Sequence, residues 1–273
     1  MGLSLSQHQY TLDIIQRAGM TSCKPVATPL STSSKLSIAS GTLYSDPTRY
    51  RHRQIIGALQ YLNFTRPDIC YAVNKACQFM HAPTEDHWSA VKRILCYLQD
   101  TASYGLHITR DSSLSLHGFT DADWAGSIDD RKSTGGYLVY LGATPISWKS
   151  GKQHIVARSF IEVEYKALAD GTAEILWIRS LLSELHFPSS SMTTLWCDNL
   201  GVTFLSLNPV FHARTKHVEV DHHFVRDRVA KQEIQVRFIS SKDQLADVLT
   251  KPLPPVLFAL FRSKLRVESP PSA

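Results

Sequence analysis

The sequence contains few cysteines, and none of them form a closely spaced pair. Its five cysteines are scattered over 273 residues, which excludes a disulfide-dense scaffold and a finger-type zinc site built on thiolates. No apolar run approaches the roughly 20 residues of a membrane-spanning helix, and the N-terminus lacks the basic start and apolar core of a secretion signal. We therefore expect an intracellular protein in a reducing compartment, without a membrane span.

The chain also lacks a strong excess of charge and any internal repeat. Hydrophobic residues make up 43% of the sequence, enough for the cores of one large domain or two ordinary ones. The formal net charge is +5 and the isoelectric point is near 8.9. This mild basicity suits a polyanionic partner such as nucleic acid without demonstrating one.

The first part of the chain has the pattern of helices. A helix is predicted over Tyr10 to Arg17 and another over Glu85 to Asp100, where apolar residues recur every three or four positions. The loop-like passage "DTASYGLHITRDSS" then separates two regions with different sequence patterns. We predict a mostly helical domain over residues 1–105 and a second domain over residues 112–267.

The second region alternates strand-like and helical segments. Three strand-like runs, "LSLHGFTD", "GGYLVYLG" and "PISWKS", are separated by turn signals. The segments that follow are a long helix from Phe160 to His186, the strand "TTLWCD", a helix near Val218 to Lys231, the strand "IQVRFIS" and a terminal helix from Asp243. This order predicts an α/β domain with a mixed five-stranded sheet flanked by helices.

Carboxylates in the long helix have two different predicted roles. Glu162 and Glu164 point about 200° apart on a helix, so they cannot share one task. Glu162 lies three residues after Ser159, the spacing of a capping box. Glu164 lies beside the apolar stripe that should face the sheet, where a carboxylate is costly unless it is paired or bound to metal. A side chain reaching out to the helix edge is the alternative for Glu164.

Three further aspartates are candidates for the same chemistry. Asp198 follows the strand "TTLWC", although a simple helix cap would also explain it. Asp247 lies inside "SKDQLADVLTK", where it has no capping role and either serves a site or lies on a solvated face. Asp121 and Asp123 end the first strand of the sheet, and the residues alone do not say which of them carries chemistry. Two-metal hydrolysis of a phosphodiester requires several converging carboxylates of this kind.

Many ordered motifs resemble one family. The segments "TDADWAG", "DRKSTGGYLVYLG", "EVEYKALAD", "WCDN", "HARTKHVEVDHHFVRD" and "LADVLTKPL" are similar to the ribonuclease H region of copia-type LTR-retrotransposon polyproteins. Upstream, "LSQHQYTLDII", "YRHRQIIGALQYLNFTRPDICYAVN" and "HWSAVKRILCYL" look like the reverse-transcriptase tail that precedes it. The resemblance runs from about Leu3 to Leu265. It implies a ribonuclease H-like domain preceded by a mostly helical reverse-transcriptase tail.

The resemblance also implies a site and a reaction. Asp121, Glu164, Asp198 and Asp247 match the four metal-binding carboxylates, so Asp123 is expected to be a loop or capping residue, or at most an outer one. Two Mg²⁺ ions are implied, with Mn²⁺ as a substitute. An activated water would attack the RNA strand of an RNA-DNA hybrid and leave a 3′-hydroxyl and a 5′-phosphate.

The family setting implies partners as well. A full-length element would supply an upstream polymerase palm, and the location would be a cytoplasmic particle or the nucleus. Because no Tyr-x-Asp-Asp sequence occurs in the chain, we do not expect DNA synthesis from it. Duplex shape and 2′-hydroxyl contacts would select the hybrid. As a group, the cations around the site are candidate phosphate contacts: Arg131, Lys132, Lys149, Lys152 and Arg158.

Other hypotheses remain open. The chain could be a catalytically silent nucleic-acid-binding relic. A polynucleotidyl transferase such as an integrase could share this sheet topology, but the order of the four carboxylates and the family motifs argue against it. A histidine cluster, His212, His217, His222 and His223, offers imidazoles for zinc, but no cysteine accompanies it at finger-like spacing. Four tryptophans are interpreted as core or sheet-packing residues rather than base-stacking platforms: Trp124, Trp148, Trp177 and Trp196.

Overall fold

A computed structural model of the chain describes residues 2–33, 35–45, 55–110, 113–187, 192–207 and 219–270. Backbone contacts divide the chain into two units. The first contains Met1–Arg110, Ser127–Asp130 and Lys251–Ala273. The second contains Asp111–Gly126 and Arg131–Thr250. No helix in the described ranges is both long and apolar enough to cross a membrane.

The strands and the long helix of the second region follow the predicted order, but the passage expected to be a loop contains a strand, Gly105–Thr109. The strands Gly2–Leu5 and Val267–Glu268 were not predicted. The described α-helices are α1 (His8–Arg17), α2 (Ile56–Leu62), α3 (Cys70–Cys77), α4 (Glu85–Asp100), α5 (Phe160–Glu184), α6 (Leu200–Leu207), α7 (Glu219–Ala230) and α8 (Pro255–Lys264). The strands are β1 (Gly2–Leu5), β2 (Gly105–Thr109), β3 (Leu116–Ala122), β4 (Thr134–Leu141), β5 (Thr144–Lys152), β6 (Thr193–Cys197), β7 (Ile234–Phe238) and β8 (Val267–Glu268). Among the described residues, Pro67–Ile69 and Leu245–Leu249 form 3₁₀-helices.

The first unit combines helices with a small sheet and a buried ion pair. Its strands pair antiparallel in the order β1-β2-β8. Arg66 and Asp68 are each 1% exposed and form two parallel hydrogen bonds of 3.0 and 2.8 Å. The Tyr97 hydroxyl donates to Asp68 Oδ2 at 2.6 Å, and Arg66 Nη1 donates to the Thr101 carbonyl at 2.8 Å. Burial alone would raise the pKa of Asp68, but the charge and hydrogen bonds of Arg66 hold it below its ordinary value.

A capping box formed by Thr84 and His87 begins α4. Thr84 is the N-cap residue, and its backbone N–H donates to His87 Nδ1 at 3.0 Å. Because Nδ1 accepts, the other ring nitrogen carries the proton and donates to the Ser37 carbonyl at 3.1 Å. The ring also stacks on Phe79 with 3.9 Å between ring centroids. The helix predicted over Glu85 to Asp100 is confirmed with the same bounds.

The second unit contains the five-stranded sheet, in the order β5-β4-β3-β6-β7. Strands β5, β4 and β3 are antiparallel neighbours, whereas β3, β6 and β7 are parallel. Helix α5 lies against this sheet and buries residues that include Leu168 and Ile175. The predicted α/β domain with a mixed five-stranded sheet is therefore confirmed.

Glycine permits the close contact between α5 and the central strand. A Cβ atom at Gly171 would lie 2.7 Å from Thr120 Cγ2, a distance that real Cβ atoms essentially never show. Residues 164, 168, 171 and 175 share one face of the helix because they are spaced by four, three and four. Glu164 therefore occupies the same sheet-facing row as Gly171.

The terminal helix predicted from Asp243 is wrong in its type and in its first residue. The segment is a short 3₁₀-helix, and its N-cap is Gln244, whose side-chain oxygen accepts from the Ala246 N–H at 3.2 Å. Proline explains the early stop, because Pro252 disfavours helical backbone at the preceding residue and cannot donate a helical hydrogen bond. A new helix, α8, starts only at Pro255.

The core assignment of two tryptophans is also wrong. Trp124 and Trp177 are 54% and 60% exposed. Trp148 on β5 and Trp196 on β6 are half-buried on the sheet. Alternation within strands indicated the positions of these last two, whereas Trp177 lies on the outer side of a helix whose opposite side carries the apolar stripe.

Candidate active site

Strand register brings the first pair of carboxylates together. In the parallel pairing of β3 and β6, His117 is opposite Thr194 and Phe119 is opposite Trp196. Continuing that register by two residues places Asp121 beside Asp198 at the carboxyl ends of both strands. Asp121 is 2% exposed and Asp198 is half-buried.

Two other elements bring further carboxylates to the same place. Carboxylate oxygens of Asp121, Asp198 and Asp247 lie within 4.8 Å of one another. An oxygen of Glu164, an oxygen of Asp198 and the Cys197 sulfur form a second group within the same limit. Asp198 belongs to both groups and so links the other three candidate carboxylates.

The alternatives considered for single carboxylates do not hold. Glu164 is 0% exposed and Asp247 is 5% exposed, so neither lies at a helix edge or on a solvated face. Asp198 is not the cap of α6, because the side chain of Asn199 accepts the hydrogen bond from the Val202 N–H at 3.2 Å. Ser159 caps the helix by accepting from the Glu162 N–H at 3.2 Å. The Glu162 carboxylate accepts from the Arg158 N–H at 2.8 Å, so its expected role at the helix start is confirmed, with Arg158 as its backbone donor.

Uncharged donors surround the carboxylates, and sequence reasoning missed them. The Thr250 hydroxyl donates to Asp121 Oδ2, and the Ser241 hydroxyl donates to Asp198 Oδ2 at 2.7 Å. The Gln244 amide contacts the Thr120 carbonyl and Asp198 Oδ1, and its residue is 0% exposed. Residues 241, 244, 247 and 250 recur every three positions, which is the period of a 3₁₀-helix. That period was visible in the sequence, but an α-helical interpretation of the segment concealed it.

A buried thiol also belongs to the cluster. Cys197 is 0% exposed. Burial raises its pKa well above the usual range, and the negative charges of Glu164, Asp198 and Asp121 raise it further. The thiol is therefore protonated and inert as a nucleophile at neutral pH.

Asp123 has a different environment from Asp121. Its carboxylate accepts from the Thr134 N–H, and its own N–H donates to the Thr134 carbonyl at 3.0 Å. These bonds close the connection between β3 and β4, where the Ala125 N–H donates to the Ser133 hydroxyl at 3.0 Å. Asp123 lies in neither group of potential metal ligands among the described residues.

The basic candidates have mixed surroundings. Lys149 pairs with Asp170 at 3.1 Å, with both side chains more than half exposed. Lys149 and Lys152 line one cavity of about 290 Å³ together with Lys166. Arg131 is exposed and has a φ of 56° in the β3–β4 connection, where Lys132 is half-buried. Arg158 is exposed just before α5, and its backbone N–H donates to Glu162 Oε2 at 2.8 Å.

Two of the four histidines of the cluster lie within the described residues. His212 and His217 lie outside the described residues. His222 is 2% exposed, and burial lowers its pKa. Its ring centroid lies 5.6 Å from that of His223. Neither of these two histidines belongs to a group of potential metal ligands in the part of the chain that the structure describes.

The strand order and the flanking helices define a ribonuclease H-like fold for the second unit. No family model matches the chain. Among solved structures, LC11-RNase H1 in complex with an RNA/DNA hybrid is matched with a TM-score of 0.37 and 13% identity, over 50% of this chain and 94% of that one. The fold assignment rests on the topology itself.

Sequence comparison identifies the family. The chain is 52% identical over 272 residues to the retrovirus-related Pol polyprotein from transposon RE2 of Arabidopsis thaliana, covering 99% of this chain and 18% of that protein. It is 37% identical over 272 residues to the Pol polyprotein from transposon TNT 1-94 of Nicotiana tabacum, covering 98% of this chain and 20% of that protein. The chain belongs to the Pol polyproteins of copia-type retrotransposons, as its motifs predicted, and spans about a fifth of the length of these relatives.

Proposed function

We propose that the second unit is an endoribonuclease that cleaves the RNA strand of RNA-DNA hybrids. Its metal ligands and catalytic residues would be Asp121, Glu164, Asp198 and Asp247. One observation carries the proposal: carboxylates from β3, α5, the end of β6 and the 3₁₀-helix converge within 4.8 Å in two overlapping groups. Such convergence of segments that are distant in sequence is costly for folding unless it serves a site, because like charges repel.

The donor set fits magnesium. Four carboxylates offer hard oxygen ligands, which Mg²⁺ and Mn²⁺ prefer over nitrogen or sulfur. Cys197 is the one soft donor in these two groups, so oxygen ligands outnumber sulfur at the site. Two bound Mg²⁺ ions would polarise the phosphate and activate water for hydrolysis.

Neighbouring residues stabilise the cluster of carboxylates and shield it from bulk water. Thr250 and Ser241 donate hydrogen bonds to Asp121 and Asp198, and these bonds offset part of the repulsion between the carboxylates. Burial of Glu164 and Asp247 keeps bulk water away from the oxygens that would coordinate metal. Selection of the hybrid would depend on duplex shape and 2′-hydroxyl contacts, since arbitrary RNA cannot be read through base edges.

The remaining parts of the proposal concern the partners and the first unit. Residues 1–105 would be a reverse-transcriptase tail that works beside a polymerase palm in a full-length element, and residues 112–267 would be the nuclease domain. Lys149, Lys152 and the three other basic candidates would contact phosphates and supply salt-dependent affinity.

Cleavage of a labelled RNA-DNA hybrid by the purified chain with Mg²⁺ tests the proposal. Single-stranded RNA and duplex DNA serve as substrate controls, and chelation of the metal should stop the reaction. We expect Asp121→Asn to lower cleavage by more than about 100-fold, because loss of a ligand exceeds the 10–100-fold effect of losing an outer partner. Asp123→Asn is the matched control and should retain cleavage.

Two results would contradict the proposal. If folded wild-type protein binds the hybrid but leaves it intact, the chain is a silent nucleic-acid-binding protein. If Asp121→Asn cleaves as well as the wild type, the ligand assignment is wrong even if the activity is real.

A further inference from the structure

The buried amide of Gln244 joins three elements of the candidate site. Its Nε2 donates to the Thr120 carbonyl at 3.0 Å and makes a longer contact of 3.5 Å with Asp198 Oδ1. Its Oε1 accepts from the Ala246 N–H at 3.2 Å. One side chain thus touches the end of β3, the residue after β6 and the first turn of the 3₁₀-helix.

The orientation of this amide follows from its partners. A carbonyl oxygen can only accept a hydrogen bond, so the group facing Thr120 must be the NH₂. A backbone N–H can only donate, so the group facing Ala246 must be the oxygen. A residue without both a donor and an acceptor at this position cannot make the same set of bonds.

The contacts of Gln244 lie next to the carboxylates of the candidate site. Thr120 precedes Asp121, and Ala246 precedes Asp247, so the two backbone contacts are each one residue from a carboxylate of the site. The Ser241 hydroxyl donates to Asp198 Oδ2 while the Gln244 amide faces Asp198 Oδ1. Each carboxylate oxygen has two lone pairs, so one donor leaves room for a metal ion.

We infer that Gln244 is a positioning residue for the metal ligands, with Ser241 as its partner on Asp198. The inference rests on the proposed function and identifies residues that act through the carboxylates without touching substrate. Outer partners that orient metal ligands are worth about 10–100-fold in metal affinity or activity. The arrangement also holds the carboxylates in place before metal arrives, because the donors reduce their mutual repulsion.

Calorimetric titration of the purified chain with Mg²⁺ tests the inference without any substrate. Gln244→Met has a similar size but neither donates nor accepts in this way, and we expect it to weaken Mg²⁺ binding about 10–100-fold. Ser241→Ala removes one donor at an exposed position and should weaken binding less. In the cleavage assay, excess Mg²⁺ should restore much of the rate of Gln244→Met, which damage to the fold would not allow.

Gln235→Met is the matched control. Gln235 also bridges neighbouring strands, since its amide donates to the Thr194 hydroxyl at 2.8 Å, and Arg237 Nε donates to its oxygen at 3.0 Å. Neither partner is a carboxylate, so Gln235→Met should bind Mg²⁺ like the wild type.

The outcomes separate this inference from the proposed function. Wild-type Mg²⁺ affinity in folded Gln244→Met would overturn the inference, whatever the cleavage assay shows. If Gln244→Met does not fold, unchanged affinity in Ser241→Ala overturns it instead. If the wild type binds Mg²⁺ but cuts no hybrid, the proposed function fails, while weaker binding in the variants still supports the role of Gln244.

Discussion

Asp121 and Asp123 lie two residues apart at the end of β3 and have different surroundings in the structure. Asp121 is buried beside Asp198 and accepts from the Thr250 hydroxyl. Asp123 uses its carboxylate to close the hairpin through Thr134. Both are aspartates in the same short segment, so the difference arises from the residues that the sheet brings next to each of them.

His87 gives a prediction for the effect of pH on stability. Burial lowers its pKa, against smaller opposing effects of the Ser37 carbonyl and the charges of Asp86 and Asp129. A depressed pKa in the folded state means that the unfolded chain binds the proton more readily. The contribution of neutral His87 to the free energy of unfolding is therefore complete above the ordinary histidine pKa of about 6.5. It is lost as pH falls through the lower pKa that His87 has in the folded protein.

Urea unfolding at pH 7.5 and pH 5 measures this effect. The free energy of unfolding should fall more steeply with decreasing pH in the wild type than in His87→Gln, which is neutral at both pH values. His117 and His222 also have lowered pKa values, and both remain in the variant, so the difference isolates His87. Parallel pH dependence in the two proteins would contradict the prediction.

At the scale of elements, the position of α5 depends on a glycine. Gly171→Ala should improve helix propensity by about 1 kcal/mol. However, the new Cβ would lie 2.7 Å from Thr120 Cγ2, and overpacking of this kind costs about 1–3 kcal/mol. We expect a net loss of stability in urea, together with weaker Mg²⁺ binding, because the helix that carries Glu164 is pushed away from β3.

Gly57→Ala is the matched control for this prediction. Gly57 also lies in a helix, α2, but a Cβ atom there would meet nothing within 4 Å. The substitution should stabilise the protein by about 0.4–1 kcal/mol, because it restricts the unfolded chain. Equal stabilisation by both substitutions would show that α5 does not press on β3.

At the scale of the whole molecule, charge supplies a prediction for substrate binding. The net charge of +5 and the five basic candidates favour contact with phosphates. Asp121→Asn should still bind an RNA-DNA hybrid without cutting it, and its affinity should fall as salt rises, because binding releases counterions. Lys152→Ala in that background should reduce the slope of log affinity against log salt by about 1.

Filter binding or fluorescence anisotropy over a series of salt concentrations checks this expectation. Lys35→Ala, a lysine of the first unit at some distance in sequence from the site, serves as a charge-matched control. A slope that Lys152→Ala leaves unchanged would remove Lys152 from the phosphate contacts.

Local patterns in the sequence determine much of this protein. The alternation of apolar residues and the turn signals predicted five strands and their intervening helices, because these patterns depend on neighbours along the chain. Helical phase separated Glu162 from Glu164, since the angle between two positions on a helix is set by geometry alone. The ordered motifs predicted the family, which the relatives confirm.

Only the tertiary structure decided which side chains meet. The register of β3 with β6 places Asp121 beside Asp198, and register depends on contacts between residues about 77 positions apart, which no local pattern contains. The contacts of Gln244 and the place of Cys197 beside the carboxylates were missed for the same reason, because their neighbours belong to other elements. The 3₁₀-helix was missed because prolines beyond its end, and packing against β3 and β4, outweigh the helical pattern of "LADVL".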